Sequence, residues 1–179
     1  MEISETELRM LNFYRASELH GGLILGQLVR RARGAALLTH LTRHSAEEVN
    51  HALLWTETIV AVGGQPTPTS DTWQARFAST AGPMTSLCEV LAVTQVFERT
   101  VCRHFTAHLR RGGTHPTVRT TLRRMLEEEK YHLNWVAHWL KDEEARRGEV
   151  VPALIRRYAK IDASIYRQLL VDYEWRAAA

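Results

Sequence analysis

Residues 63–83 read GGQPTPTSDTWQARFASTAGP. At about 21 residues this stretch is long enough to run the length of a helical bundle as a crossover. What flanks it decides the fold. On its N-terminal side, residues 5–32 place Leu8, Leu11, Tyr14, Ala16, Leu19, Leu23, Leu25, Leu28 and Val29 at intervals near three and four. Residues 35–62 do the same with Leu37, Leu38, Leu41, Val49, Ala52, Leu53, Trp55 and Ile59. Both are amphipathic-helix patterns. On its C-terminal side, helices are expected over 85–110 and 116–146, which have no Pro or Gly in their interiors, and Pro116 suits a first turn. The breaks at Arg33-Gly34 and from Arg111 to Pro116 are tight, so each pair forms an antiparallel hairpin, 5–62 and 85–146. A further helix, 152–175, carries Leu154, Ile155, Tyr158, Ile161, Ile165, Tyr166, Leu169 and Leu170. No alternation of period two argues for a strand. The expected fold is all-α: a single domain, 1–179, built as a four-helix bundle with one long crossover, 63–84, between helices 2 and 3, plus a C-terminal fifth helix.

Composition agrees and removes several function classes. The 179 residues are 45% hydrophobic and 24% charged, a balance that suits one globular domain with a real core. The formal net charge of +3 comes mostly from Arg dispersed along the chain, which argues against nucleic acid as a partner. Arg30, Arg31 and Arg33, and likewise Arg110 and Arg111, read as charges at helix C-termini. Cys88 and Cys102 make neither a disulfide framework nor a metal pair. The N-terminus opens on acids, and no apolar run approaches membrane-spanning length. A cytoplasmic protein without a membrane partner is expected.

Marking acids and imidazoles on this plan exposes the chemistry. Helix 1 has Glu18 in SELHGG, helix 2 has Glu48-Val49-Asn50-His51, helix 3 has Glu98 in QVFERTV, and helix 4 has Glu129-Lys130-Tyr131-His132. A carboxylate and an imidazole at i, i+3 share one helix face. With 16 Glu and 9 His, two such steps are weak by themselves, but their level along the helices is not. Glu18 lies roughly 22 Å before the Gly34 turn and Glu48 about 21 Å after it, so the two carboxylates finish side by side. Glu98 and Glu129 stand in the same relation to the Gly112-Gly113 turn, whereas Glu89 would miss that level by about 13 Å. Six ionisable groups in one layer of a bundle core would each cost several kcal/mol unless paired or metal-bound. Arg99 and Lys130 are each one step off the face. Two divalent ions would neutralise four carboxylates.

The layout Glu18, Glu48-x-x-His51, Glu98, Glu129-x-x-His132 resembles the ferritin-like superfamily of di-iron carboxylate proteins, which includes rubrerythrin, bacterioferritin and the ribonucleotide reductase small subunit. The resemblance covers about residues 5–146. It implies Glu18 and Glu98 as terminal ligands, Glu48 and Glu129 as bridges, and one nitrogen each from His51 and His132. Two iron ions are the implied cofactor, with manganese or a mixed pair used by some members. No Cys-x-x-Cys pairs follow the bundle, so the electron-transfer domain of typical rubrerythrins is not expected. The resemblance further implies O₂ or peroxide as co-substrate and an unidentified electron donor. The functional expectation is an oxidase or oxygenase on a small organic molecule; the alternatives are a rubrerythrin-like peroxide-detoxifying protein and a ferroxidase or iron-storage protein. A homodimer is the expected assembly.

Other residues carry weaker signals. Tyr14, one turn before Glu18, reads as a core tyrosine or a redox-active phenol. Thr94, one turn before Glu98, either orients oxygen or bonds back to its own helix. His44, four before Glu48, reads as a surface residue rather than an extra ligand or a partner that supports a ligand. Trp55 and Trp135 read as core, with electron transfer as the other option. Gly21, Gly22 and Gly26 interrupt helix 1 and ask for either close helix packing or a cavity beside the metals. Arg15, Arg99 and Arg103 are surface charges or contacts for an anionic substrate. The residues that would orient the two histidines have no signature in this spacing.

Overall fold

The computed structural model describes residues 2–175; Met1 and 176–179, the two ends of the expected domain, lie outside the described residues. Those described form six helices and no strand: α1 (Glu5–Val29), α2 (Ala35–Ala61), α3 (Trp73–Ala81), α4 (Leu87–Arg110), α5 (Pro116–Arg147) and α6 (Val150–Asp172). The helix starts are chemically marked. Ser4 caps α1 by accepting from the Glu7 amide, and Glu5 and Glu7 complement the helix dipole. Ser86 and Glu89 form a reciprocal capping box at the start of α4, so Glu89 is occupied there. Pro116 occupies the first turn of α5. Gly34 and Gly113 take positive φ, +87° and +83°, in the two tight turns.

α1 packs on α2, α4 on α5, and α2 on α5; α6 lies against α4 and α5. Leu11, Trp55, Ile59, Leu91, Leu122 and Met125 are fully buried in the core these helices share. The C-terminal helix therefore covers its own chain, beginning at Val150 rather than 152 and ending at Asp172 rather than 175. No described helix is long and apolar enough to cross a membrane.

The crossover departs from the expected plain connection, because nine of its residues form α3. Thr72 accepts from the Ala75 amide, and Gly82, at φ +76°, ends the helix. Trp73 and Phe77, one turn apart, are buried. The Trp73 indole donates to Asp162 of α6 at 2.9 Å, and its backbone amide donates to Ser17 Oγ of α1 at 3.1 Å. Asp162 also accepts from Thr100 of α4 at 2.6 Å. Tertiary contacts thus hold a segment whose Pro and Gly content masks its short helix.

The glycines of α1 divide between the two expected roles. A Cβ at Gly22 would stand 2.8 Å from Val49 Cγ2 and 3.1 Å from the Ser45 carbonyl, so this residue serves the close approach of α1 to α2. Gly26 faces Ser45 Oγ at 3.1 Å in the same interface. Gly22→Ala is expected to lower stability by about 1–2 kcal/mol, overpacking outweighing a helix-propensity gain of up to about 1 kcal/mol. The midpoint of a urea melt reads this directly, and an unchanged or raised midpoint contradicts it. Gly21 points elsewhere, toward Gln74 and Glu48.

Among the arginines at helix ends, Arg31 donates to the Thr85 carbonyl at 3.0 Å and Arg111 lies over the Trp175 ring.

Candidate metal centre

Four of the five long helices, α1, α2, α4 and α5, deliver Glu18, Glu48 and His51, Glu98, and Glu129 and His132 to one buried layer. None of the six is more than 8% exposed. Two overlapping groups hold ligand atoms within 4.8 Å of one another: His44, Glu48, Glu98 and His132, and Glu48, His51, Glu129 and His132. Glu48 and His132 belong to both. Glu18 falls in neither; its buried carboxyl lies beside Glu48 and lines an adjoining cavity.

His44 corrects the surface reading made for it. It is fully buried, with Nε2 at 3.1 Å from Glu48 Oε1 and 3.2 Å from Glu98 Oε1. Its Nδ1 accepts from the Trp135 indole at 3.2 Å. That contact puts the proton of a neutral His44 on Nε2, where it donates to the two carboxylates. Trp135 is therefore both core and a positioning residue. The missed signal was periodicity: His44, Glu48 and His51 recur at four and three, a single face of α2.

His51 and His132 have matching surroundings. Each turns Nδ1 into the cluster: that of His132 is 2.7 Å from Glu129 Oε2 and 3.1 Å from Glu48 Oε1. Each turns Nε2 outward to a carboxylate on the facing helix, His51 to Glu128 at 2.9 Å and His132 to Glu47 at 3.0 Å. Such outer acceptors fix the tautomer and leave Nδ1 free to coordinate. Sequence reasoning did not name Glu47 and Glu128. The signal was present, since Glu-Glu-x-x-His occurs at both 47–51 and 128–132, but the pairing runs between helices.

His51 Nδ1 and Glu129 Oε1 are buried without a hydrogen-bond partner, although they lie only 3.2 Å apart. One cation would satisfy both of these buried atoms at once, since imidazole nitrogen and carboxylate oxygen are both metal donors. The residues present therefore fit a metal. Imidazoles are, among the described residues, the only cationic partners of Glu48, Glu98 and Glu129.

The electrostatics follow from this crowding. Burial, then repulsion from Glu48 and Glu129, pushes the Glu18 carboxyl well above the usual carboxylate range. Burial and the neighbouring Glu129 raise Glu98 to about 7. Burial also works to raise Glu48, but hydrogen bonds from His132 and His44 outweigh it and hold that carboxylate well below its ordinary value. For His51, burial opposes the charged form, yet Glu129 and Glu48 prevail and raise it to about 9. Imidazolium protons thus supply the positive charge among these carboxylates.

The cavity beside Glu18 measures about 150 Å³ and lies between α1 and α4, with α3 against its side. Thr94 lines it, and its hydroxyl bonds back to the Val90 carbonyl at 3.0 Å. Tyr14 also lines it, with its hydroxyl 2.5 Å from His104 Nε2 and 3.1 Å from His108 Nδ1. His104 Nδ1 meets Tyr166 and His108 Nε2 meets Glu7, both at 3.0 Å. One assignment of protons satisfies the whole chain: Tyr166 donates to His104, His104 to Tyr14, Tyr14 to His108, and His108 to Glu7. Burial lowers His104 to about 3, keeping it neutral as this chain requires. Trp55 is fully buried and packs on Tyr14 with ring centres 5.1 Å apart. Arg15 and Arg103 bond to Thr67 and Thr100, Arg99 is exposed, and none of the three lines the cavity.

Comparison of the chain with protein-family models, with curated proteins and with solved structures finds no match.

Proposed function

We propose that this chain is a ferritin-like protein that holds a pair of metal ions, iron in both positions, and uses it to oxidise a small organic molecule with O₂ or peroxide. The observation that carries the reading is the pair of overlapping ligand groups sharing Glu48 and His132, with His51 Nδ1 and Glu129 Oε1 buried and unpartnered. Carboxylate and imidazole together suit iron or manganese. In this reading Glu48, Glu98 and Glu129 would hold the pair through carboxylate oxygens and His51 and His132 through Nδ1, with Glu18 joining from the cavity wall beside Glu48. When bound, two ferrous ions supply electrons to O₂ or peroxide.

The chain's own residues have distinct tasks. Glu47 and Glu128 hold the outer nitrogens of His132 and His51, so each ring keeps one orientation and one tautomer. His44, fixed by Trp135, holds a proton between Glu48 and Glu98. Glu18, whose carboxyl burial favours in its neutral form, stands at the cavity wall and would give up that proton to a metal that enters. The apolar walls limit water beside the carboxylates. A cavity walled largely by apolar side chains beside the cluster favours the enzyme over iron storage, which requires assembly into a large cage.

Metal analysis tests this on protein produced with iron, purified without oxygen and then exposed to air, beside the Glu48→Ala, Glu129→Ala double variant. The expected result is about two irons per chain, as carboxylate-bridged bundles hold, with an oxygen-dependent absorption band, both lost in the variant. A folded protein that binds no metal overturns the reading. A large, mineral-filled particle in light scattering moves the assignment to iron storage.

A further inference from the structure

We infer that the cavity between α1 and α4 binds one uncharged, ring-sized apolar molecule bearing a single hydrogen-bond donor, which Gln74 receives. As a binding site the cavity stands on its own walls; as the place where a substrate meets the proposed metal pair, it rests on the function proposed above.

Size sets the first limit. A dry apolar cavity of about 150 Å³ accommodates benzene, and this cavity has that volume. Phe13, Ile24, Phe77, Val93, Phe97 and Val101 form much of its wall. Neither Lys nor Arg lines it, while the ionised Glu48 does, so a carboxylate or phosphate ligand would find no permanent cation there and would face a like charge.

The polar atoms set the second limit. Ser17 Oγ already accepts from the Trp73 amide, His20 bonds to Thr72, Thr94 bonds to Val90, and both nitrogens of His104 are engaged. Gln74 Oε1 is buried and without a partner, and it is the one such unpartnered side-chain atom, among the described residues, that belongs to the cavity lining. A buried acceptor left unpaired is costly, and a ligand hydroxyl or N–H would satisfy it. Gly21 sets the position of this acceptor: a Cβ there would come 3.1 Å from Gln74 Nε2 and 3.5 Å from Glu48 Oε2. The amide thus sits at the carboxylate end, and a ligand donating to it lies with its ring along the apolar wall and its polar end toward Glu48.

The test uses chelator-treated full-length protein titrated by calorimetry with phenol, benzene and benzoate. Phenol is expected to bind saturably, about threefold to tenfold tighter than benzene, the worth of one buried hydrogen bond, and benzoate not at all. Gln74→Leu removes the preference for phenol while retaining benzene. Val93→Phe, which fills the cavity, and Ala78→Phe, which closes its α3 side, abolish binding of both, with helix content by circular dichroism showing that each variant folds. Failure of wild-type protein to bind either ring, or undiminished binding in the filled variants, overturns the inference. A phenol preference that persists in Gln74→Leu overturns the role of Gln74. Metal content is measured on separate samples, so loss of the metal reading and loss of the cavity reading are distinct results.

Discussion

Replacing His132 with alanine in chelator-treated protein is expected to lower the free energy of unfolding by about 3–5 kcal/mol, the usual consequence of leaving a buried charge without its partner. His132 is fully buried and contacts Glu129 at 2.7 Å, Glu48 at 3.1 Å and Glu47 at 3.0 Å. Alanine removes the charge that faces the first two carboxylates and leaves a void beside them. Burial alone would suppress protonation of this imidazole, but Glu129 and Glu48 reverse that and hold it far above its ordinary value. Urea melts of wild type, His132→Ala, Glu129→Gln and the double variant measure the coupling. The double variant should be destabilised by clearly less than the sum of the two singles, because the second change removes a charge the first has stranded. A loss below about 1 kcal/mol for His132→Ala, outside the range for breaking a buried pair, would mean that the carboxylates are not charged in the metal-free core.

The pH dependence of the metal-free protein should run against the common pattern of stability gained above the carboxylate range. His51, raised to about 9, contributes stability that is complete below its unfolded value and is lost as pH rises through 9. Glu98, raised to about 7, and Glu18, raised well above its ordinary value by burial, favour their neutral forms in the fold and so also oppose rising pH. Glu48 and Glu129 are lowered and act in the other direction, but their contribution is present above the ordinary carboxylate range and is lost only in acid. His104 and His108 are likewise lowered, so their effect also falls on the acid side of neutrality. His44 and His132 are raised as well and act with His51. Between about pH 6.5 and 8.5, chelated protein should therefore lose at least about 2 kcal/mol, the share of His51 alone at about 1.4 kcal/mol per proton per pH unit, with the other raised groups adding to it. Saturating Mn(II) should remove this loss, since metal binds the deprotonated ligands and replaces the lost positive charge. Thermal melts at both pH values, with chelator and with metal, check it. Chelated stability that stays level or rises across this range would contradict the charge arrangement assigned to the cluster.

Why so much of this cluster was legible in one dimension is a matter of helix geometry. A fixed rise per residue and two glycine-marked turns place Glu18 beside Glu48 and Glu98 beside Glu129 before any packing is considered. Glu89 was separable from Glu98 by the same arithmetic, and its place in the cap of α4 accounts for it. His44 was misjudged because its burial depends on how far α2 leans against α5, where Trp135 meets it; the sequence of α2 alone does not contain that contact. Glu47 and Glu128 escaped for a related reason. Each sits beside a core carboxylate in sequence, but its partner is on the opposite helix, and the crossed pairing exists only after α2 and α5 have docked.

The short helix α3 shows where local pattern gives way. Its Thr72 cap and Gly82 stop are sequence signals, yet nine residues are too few to hold a helix in water. Trp73 and Phe77 become helical neighbours because α1, α4 and α6 bury them and because Asp162 and Ser17 receive the two Trp73 N–H groups. Periodicity, turns and the level of the acids along each helix were determined by the sequence itself, since each depends on spacing along one chain and a constant rise. The cavity, its unpaired Gln74 acceptor, the crossed histidine supports and the burial of His44 were decided by the tertiary structure, because each is a relation between side chains that no single helix brings together.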